Sequence, residues 1–172
     1  MAMDHEGYKN AAEYWKNKDA QSVKMPHEEL LPAAEKYINE NNTCALATAA
    51  DGFVRCTPIE YTYHDGAFWM FSEGGLKFAA LEKNKNVCIA IFDKFGSFAG
   101  LKGMQVTGTA DVVEPFSKEY DKAAEYRKIP LDALKKLPRP MNLIKIIPTE
   151  IEFLNSDFKK QGYDVRQKLV FS

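Results

Sequence analysis

The chain has 172 residues, 45% of them hydrophobic, which is enough for one domain with a real core. Its 23 basic and 24 acidic residues are interspersed and sum to a formal charge of −1, so no electrostatic footprint for nucleic acid or an anionic membrane emerges. The opening Met-Ala-Met-Asp-His-Glu lacks an apolar leader core and no apolar run approaches bilayer length, so a cytoplasmic protein is expected.

In chain order, residues 11–18 carry Tyr14 and Trp15 in a short helical pattern, with ordinary packing as the expected role of Trp15. Residues 25–40 read as a second helix. Pro26 suits its first turn, Glu28 and Glu29 suit the dipole, and Leu30, Leu31, Ala34, Tyr37 and Ile38 form one apolar stripe fit to cover an open barrel end. A strand at 43–48 turns through Asp51-Gly52 into the β-favouring stretch 53–62. Asp65-Gly66 then asks for a type I′ hairpin turn into residues 67–72. Pairing across that turn sums to 131, which sets Arg55 opposite Leu76 and beside Lys77. Two glycines follow Ser72, and residues 76–83 read as a short helix. Two cations, a hydroxyl and the free N–H groups of a helix start thus converge on an anion site. Pro58 cannot donate to a ladder, so its strand belongs at an edge, a bulge or a ligand's approach. A flat, phosphorylated ligand along this hairpin is the working expectation, and His64 reads as a solvated turn residue.

Residues 87–92, VCIAIF, have the length and apolarity of a buried strand. The glycine-bearing loop 93–101 exposes Phe95 and Phe98 either over a ligand edge or in a dimer seam. A further strand at 102–113 holds Gln105. Residues 117–136 are a charged helical stretch split by Pro130. Residues 141–147 and 149–154 then alternate around Pro148 as a last strand or a kinked pair. Cys44, Cys56 and Cys88 have neither C-x-x-C nor metal-ligand spacing and read as small buried hydrophobes, and the three histidines form no cluster. Six or so strands with short turns argue for a mainly β fold, a small closed barrel with flanking α-helices. The division expected is N-terminal helices in 1–42, barrel at about 43–155, and a polar tail at 156–172 that docks on a neighbour.

The order Arg55-Cys56-Thr57-Pro58-Ile59, then Phe71-Ser72-Glu73-Gly74-Gly75 with Lys77 opening a helix, then Gly103-Met104-Gln105-Val106-Thr107-Gly108, resembles the pyridoxamine 5′-phosphate oxidase-like family of FMN-binding split barrels. The likeness runs from about residue 43 to 113 and implies a six-stranded split β-barrel that binds FMN at the interface of a homodimer. It implies that Arg55 and Lys77 hold the FMN phosphate. Thr57, Pro58, Ile59 and Glu60, with Cys56 beside them, and Met70, Phe71 and Ser72 line the ribityl chain and ring partly through backbone groups, and Gln105 reaches the flavin. The chain departs from the oxidases themselves at Leu76, where they carry a second basic residue. It departs again at Val165-Arg166-Gln167, which offers only the arginine of their Arg-x-His pattern. Oxidation of pyridoxamine 5′-phosphate is therefore not expected. An FMN-dependent oxidoreductase on an unidentified small molecule is the first reading, and a non-catalytic flavin carrier or sensor the second. A haem-binding or haem-degrading barrel is the third, and needs a histidine ligand.

Overall fold

The computed structural model describes residues 3–171, except the side chain of Phe98. Two helices, α1 (His5–Ala20) and α2 (His27–Glu40), precede β1 (Thr43–Ala50), β2 (Phe53–Glu60), β3 (Thr62–His64) and β4 (Ala67–Ser72). Helix α3 (Lys77–Lys83), β5 (Asn86–Phe92), β6 (Lys102–Val113), α4 (Lys118–Tyr126), α5 (Leu131–Lys135), β7 (Asn142–Asn155) and β8 (Arg166–Val170) complete it. Eight strands form one antiparallel sheet in the order β2-β1-β5-β6-β7-β4-β3, with β8 on β7. The expectation of six strands is corrected by splitting residues 53–64 into two strands and by adding β8.

The split of the long hairpin arm has a local cause. The expected type I′ turn at Asp65-Gly66 forms, with positive φ at Asp65 (52°) and Gly66 (71°), and the Asp51-Gly52 turn has the same double positive φ at Asp51 (49°) and Gly52 (78°). Each turn governs only the chain next to it. Asp51-Gly52 zips residues 53–60 onto β1, whereas Asp65-Gly66 zips residues 62–64 onto β4. Tyr61 marks the fork: it is buried, its N–H donates to Asn42 O at 2.8 Å, and its hydroxyl donates to Ile38 O at the end of α2 at 2.7 Å. Arg55 accordingly faces Thr48 on β1, not Leu76 on an extended hairpin. Pro58 lies on an edge strand, as a residue without an N–H requires.

Strands β6 and β7 pair along almost their whole lengths, and Thr149 is squeezed out as a bulge, since Thr107 faces Glu150 while Gly108 faces Pro148. The segments around Pro148 are therefore one kinked strand. Gly108 is fixed by the close approach there, because a Cβ would sit 2.5 Å from the Ile147 carbonyl oxygen. Most strands alternate in burial, β5 included; residues 86–92 face core and surface in turn instead of being buried throughout. Leu46, Phe68, Met70, Ile89, Val106, Ile144, Ile151 and Phe153 make the main core, closed at one end by Leu30, Ala34, Tyr37 and Ile38 of α2. A second cluster, with Trp69, Tyr120, Leu134 and Leu143, lies where α4 and α5 cover the far side of β4.

Residues 156–171 are not a free tail. A 3-10 turn, Ser156–Gln161, buries Phe158 edge-on against Phe153, and β8 buries Gln167 and Leu169 against the same barrel. Their apolar residues are too few and too dispersed to mark the segment in sequence, yet each meets a core position. Asp157 binds both Lys160 (2.6 Å) and Lys102 (3.0 Å), whose hydrogen bonds, and then charges, hold its carboxyl down at about 2. No described helix is long and apolar enough to cross a membrane.

Gly108→Ala should lower unfolding stability by about 1–3 kcal/mol through forced separation of β6 from β7, as measured by urea unfolding. Gly96→Ala, with open space around the new methyl, should change it by less than about 0.5 kcal/mol.

Candidate functional site

Lys77 is a buried lysine, only 6% exposed, at the first turn of α3. Its Nζ donates to Gly74 O at 2.6 Å and lies 5.1 Å from the Phe78 ring, and among the described residues no carboxylate pairs with it. Burial lowers its pKa from the usual lysine range, and the Arg55 charge lowers it further. Sequence pairing across the Asp65-Gly66 turn put Arg55 and Lys77 together for the wrong reason. What joins them is α3 packing across β1 and β2. Two cations share a corner, one desolvated, with no described anion to balance them.

The rest of that corner is polar as well. Ser72 is nearly buried, and its Oγ accepts from Gly74 N and lies within hydrogen-bond reach of Gly74 O, both at 3.3 Å. Gly74 (φ 151°) and Gly75 (φ 110°) turn the chain through conformations closed to side chains, so α3 can start beside Ser72. Asn142 fixes the preceding backbone by donating to Ser72 O and Glu73 O. Thr48 is a residue that motif reading missed. It is 2% exposed, directly across from Arg55, and its Oγ1 is buried without a hydrogen-bond partner. A threonine in the inward register of Cys44, Leu46 and Thr48 was the available signal.

The other predicted site residues scatter. Met70 is wholly inside the core and Phe71 packs edge-on against Tyr120, so near Ser72 only their backbone is free to meet a ligand. Thr57 and Ile59 share Arg55's face of β2, whereas Cys56, Pro58 and Glu60 point the other way. The Glu60 carboxylate is ion-paired with Arg127 at the end of α4. Gln105 lies in a row with Ala90, Ala45 and Pro58, on the sheet face opposite Arg55 and three strand spacings away, about 14 Å. One protomer does not bring Gln105 to the Arg55–Lys77 corner.

Two further expectations change. Cys44 is buried, with its thiol pushed up to about 12 by desolvation and then by Cys56, and Cys88 is raised mainly by burial. Cys56, however, is exposed on the edge strand rather than buried. The His64 side chain is not a solvated turn residue: it is 7% exposed, stacked on Trp69 at 5.0 Å and against Tyr126 at 4.0 Å, with Nε2 buried and unpartnered. No group of three or more histidine, cysteine, aspartate or glutamate side chains able to hold a metal occurs among the described residues.

The family model for pyridoxamine 5′-phosphate oxidase matches residues 30–155, well over half of the chain. A comparison with curated proteins returns no match. Among solved structures, an FAD-binding protein from Mesorhizobium loti superposes with a TM-score of 0.57 at 21% identity, over 70% of this chain and 89% of that one. The haem storage protein HutZ from Vibrio cholerae gives 0.57 at 20% identity, over 68% and 88%. A Clostridium acetobutylicum protein related to general stress protein 26, of the pyridoxinephosphate oxidase family, gives 0.54 at 17% identity, over 76% and 91%. At these identities the structures speak for the shared fold.

Replacing Lys77 with methionine removes a desolvated charge while keeping the length of the side chain. Without added anion, Lys77→Met should unfold at a urea midpoint no lower than wild type at pH 7. A lysine whose folded pKa is lowered binds fewer protons folded than unfolded, so wild-type stability rises with pH in the window below the usual 10.5. The gap should therefore narrow as pH approaches that value. A drop of more than about 1 kcal/mol in the variant at pH 7 would mark Lys77 as structural instead.

Proposed function

Because the chain belongs to the pyridoxamine 5′-phosphate oxidase family, we propose that it is an FMN-binding flavoprotein, working as a homodimeric oxidoreductase on a small molecule. The observation that carries the reading is the buried Lys77 ammonium beside Arg55 with no described carboxylate to neutralise it. A phosphate monoester supplies the missing charge and acceptor oxygens, and the orphaned Thr48 hydroxyl and the Ser72 hydroxyl stand at the same corner. The residues present thus fit the phosphate end of the cofactor. Beyond it, β2 has a free edge, and β4 past Trp69 has no partner on its β3 side, so the fork between them offers backbone groups to a ribityl chain and ring. Bound flavin supplies hydride and electron chemistry, while this chain's residues bind the phosphate, orient the ring and exclude water.

A second copy completes the site. Gln105 is on the face opposite Arg55, so a flavin held at the phosphate corner meets a Gln105 only by lying between two protomers. Two surfaces support such a partner: α1, which buries none of its own residues, and the flat row of Ala45, Ala47, Ala49, Cys88 and Ala90 flanked by exposed Val54 and Phe92. Phe68 and Trp69 are buried within the protomer and contribute nothing to such a surface, whereas Phe95 of the 93–101 loop is exposed. The side chain of Phe98 is outside the described residues.

The purified protein should show flavin absorption bands. A haem Soret band alone would overturn the reading, although His64, sealed between Trp69 and Tyr126, is a poor candidate for an axial ligand. Arg55→Ala and Lys77→Ala should each weaken FMN binding by about ten- to hundredfold, or about 1.5–3 kcal/mol, in a fluorescence titration. Equal affinity in the double variant and wild type would remove the phosphate assignment. Sedimentation at micromolar concentration should give twice the 19.5 kDa protomer mass, with weaker association once FMN is removed.

A further inference from the structure

The Lys77 amine has a chemistry that binding an anion does not use. Lys77 as a whole is 6% exposed, but the space beside its tip is open. A Cβ built on Gly75 would meet, outside its chain neighbours, only Lys77 Nζ within 4 Å, at 3.8 Å, and one built on Gly74 would meet nothing. The glycine pair therefore leaves the nitrogen approachable across a surface that side chains would otherwise cover. Among the described residues the ammonium makes one hydrogen bond, to Gly74 O at 2.6 Å, and Arg55 is the charged group that acts on it. Glu73, the acid next to Gly74 in sequence, lines a separate cleft with Arg139. Burial lowers the Lys77 pKa and the Arg55 charge lowers it further, so more of it is free amine near neutral pH than of a surface lysine.

The surroundings of the amine select its reagent. Arg55 stands beside it, Thr48 across from Arg55 has a buried hydroxyl without a partner, and Ser72 Oγ accepts from Gly74 N at 3.3 Å. Cation, hydroxyls and amine together fit a phosphate group. An electrophile whose leaving group is that phosphate is held with its carbonyl within reach of Nζ, an advantage that a neutral ester lacks. Exposed lysines have no such setting. Lys122 and Lys160 are ion-paired with Asp65 and Asp157, and the Asp65 hydrogen bond raises the Lys122 pKa, which keeps that nitrogen protonated.

We propose that Lys77 is a site of acylation by small acyl phosphates, the Arg55 corner holding the phosphate while Lys77 Nζ attacks the carbonyl carbon. The N–C bond forms as the C–O bond to phosphate breaks, with no change of oxidation state. Of the three ammonium protons, one stays on the amide nitrogen, one leaves on the phosphate as hydrogenphosphate and one passes to water. The docked phosphate favours the ammonium, and its oxygens also receive the proton that the attacking nitrogen sheds. Acylation then removes the charge that a phosphate ligand needs at this corner. As an off-switch for cofactor binding it rests on the flavin reading; the reaction itself rests only on the anion corner.

The test is incubation of the flavin-free full chain with acetyl phosphate at neutral pH, followed by peptide mass mapping over time. Lys77 should be acetylated about tenfold faster than Lys36, whose side chain is 76% exposed. Acetic anhydride, which brings no phosphate, should narrow that ratio severalfold. Inorganic phosphate should slow the reaction of acetyl phosphate at Lys77 and leave Lys36 unaffected. Arg55 is exposed on an edge strand, so Arg55→Gln leaves the core intact; it should slow acetyl phosphate severalfold more than it slows the anhydride. A Lys77 no faster than Lys36, indifference to inorganic phosphate, or an Arg55→Gln effect equal for both reagents would overturn the proposal. FMN should protect Lys77, and the acetylated protein should bind FMN about tenfold more weakly or less. If inorganic phosphate protects while FMN neither protects nor binds, the flavin reading falls and the acylation site stands. If FMN binds but acetyl phosphate leaves Lys77 unmodified, the proposal falls and the flavin reading stands.

Discussion

The ladder between β6 and β7 is the constraint on which the rest of this molecule depends. Strand β7 gives one edge to β6 along its length and divides the other between β4 and β8. One strand thus joins the hairpin leading to Ser72 with the C-terminal segment bearing Arg166. The bulge at Thr149 bends the ladder, and Gly108 allows the two backbones to meet there. A bend of this kind lets a sheet curl around the Leu46, Ile89, Val106 and Ile151 core instead of lying flat.

Curling leaves β2 and β3, like β8, without a second neighbour, and the chemistry gathers at the opening between β2 and β3. β2 follows β1 and β3 follows β4, so the chain peels apart at Tyr61, pinned to the end of α2. Backbone groups at such a fork would invite another strand, but the edge carries Pro58, and Arg55 and Lys77 occupy its mouth. Positive charge in a half-closed corner repels basic partners and favours an anion able to reach along the edge. A desolvated ammonium is a poor way to stabilise a fold, because its desolvation is not offset by its one hydrogen bond to Gly74 O. Its presence is easier to understand as preorganisation for a phosphate.

The same economy applies at the other end of the chain. Gln167 uses every polar atom of its amide to tie residues 23–25 to β8, so that α1 is held by backbone hydrogen bonds and by a cation–ring contact rather than by burial. Both polar regions therefore lie where strands end and packing is incomplete, while the faces between them are committed to the two apolar clusters.

Local chemistry alone decided much of this in the sequence. Asp51-Gly52 and Asp65-Gly66 specify their turns because few other residue pairs tolerate two successive positive φ values, and the alternation in residues 43–50 and 102–113 marks strands whatever their neighbours. The order of the Arg55, Ser72, Lys77 and Gln105 motifs was enough to identify the family, since spacing along the chain survives without knowledge of packing. Pairing partners beyond the turn were not legible. Residues 53–60 could satisfy their hydrogen bonds on β1 or on β4, and only competition between the two turns, with Tyr61 anchored to α2, settled it for β1. Burial of single polar groups was equally hidden. Nothing local distinguishes Lys77 from an exposed helix lysine, or His64 from a solvated turn histidine, until α3 and α4 close over them. Side-chain environment is a sum over segments distant in sequence, and for that reason the tertiary structure alone decided which cation is desolvated and which face of the sheet Gln105 occupies.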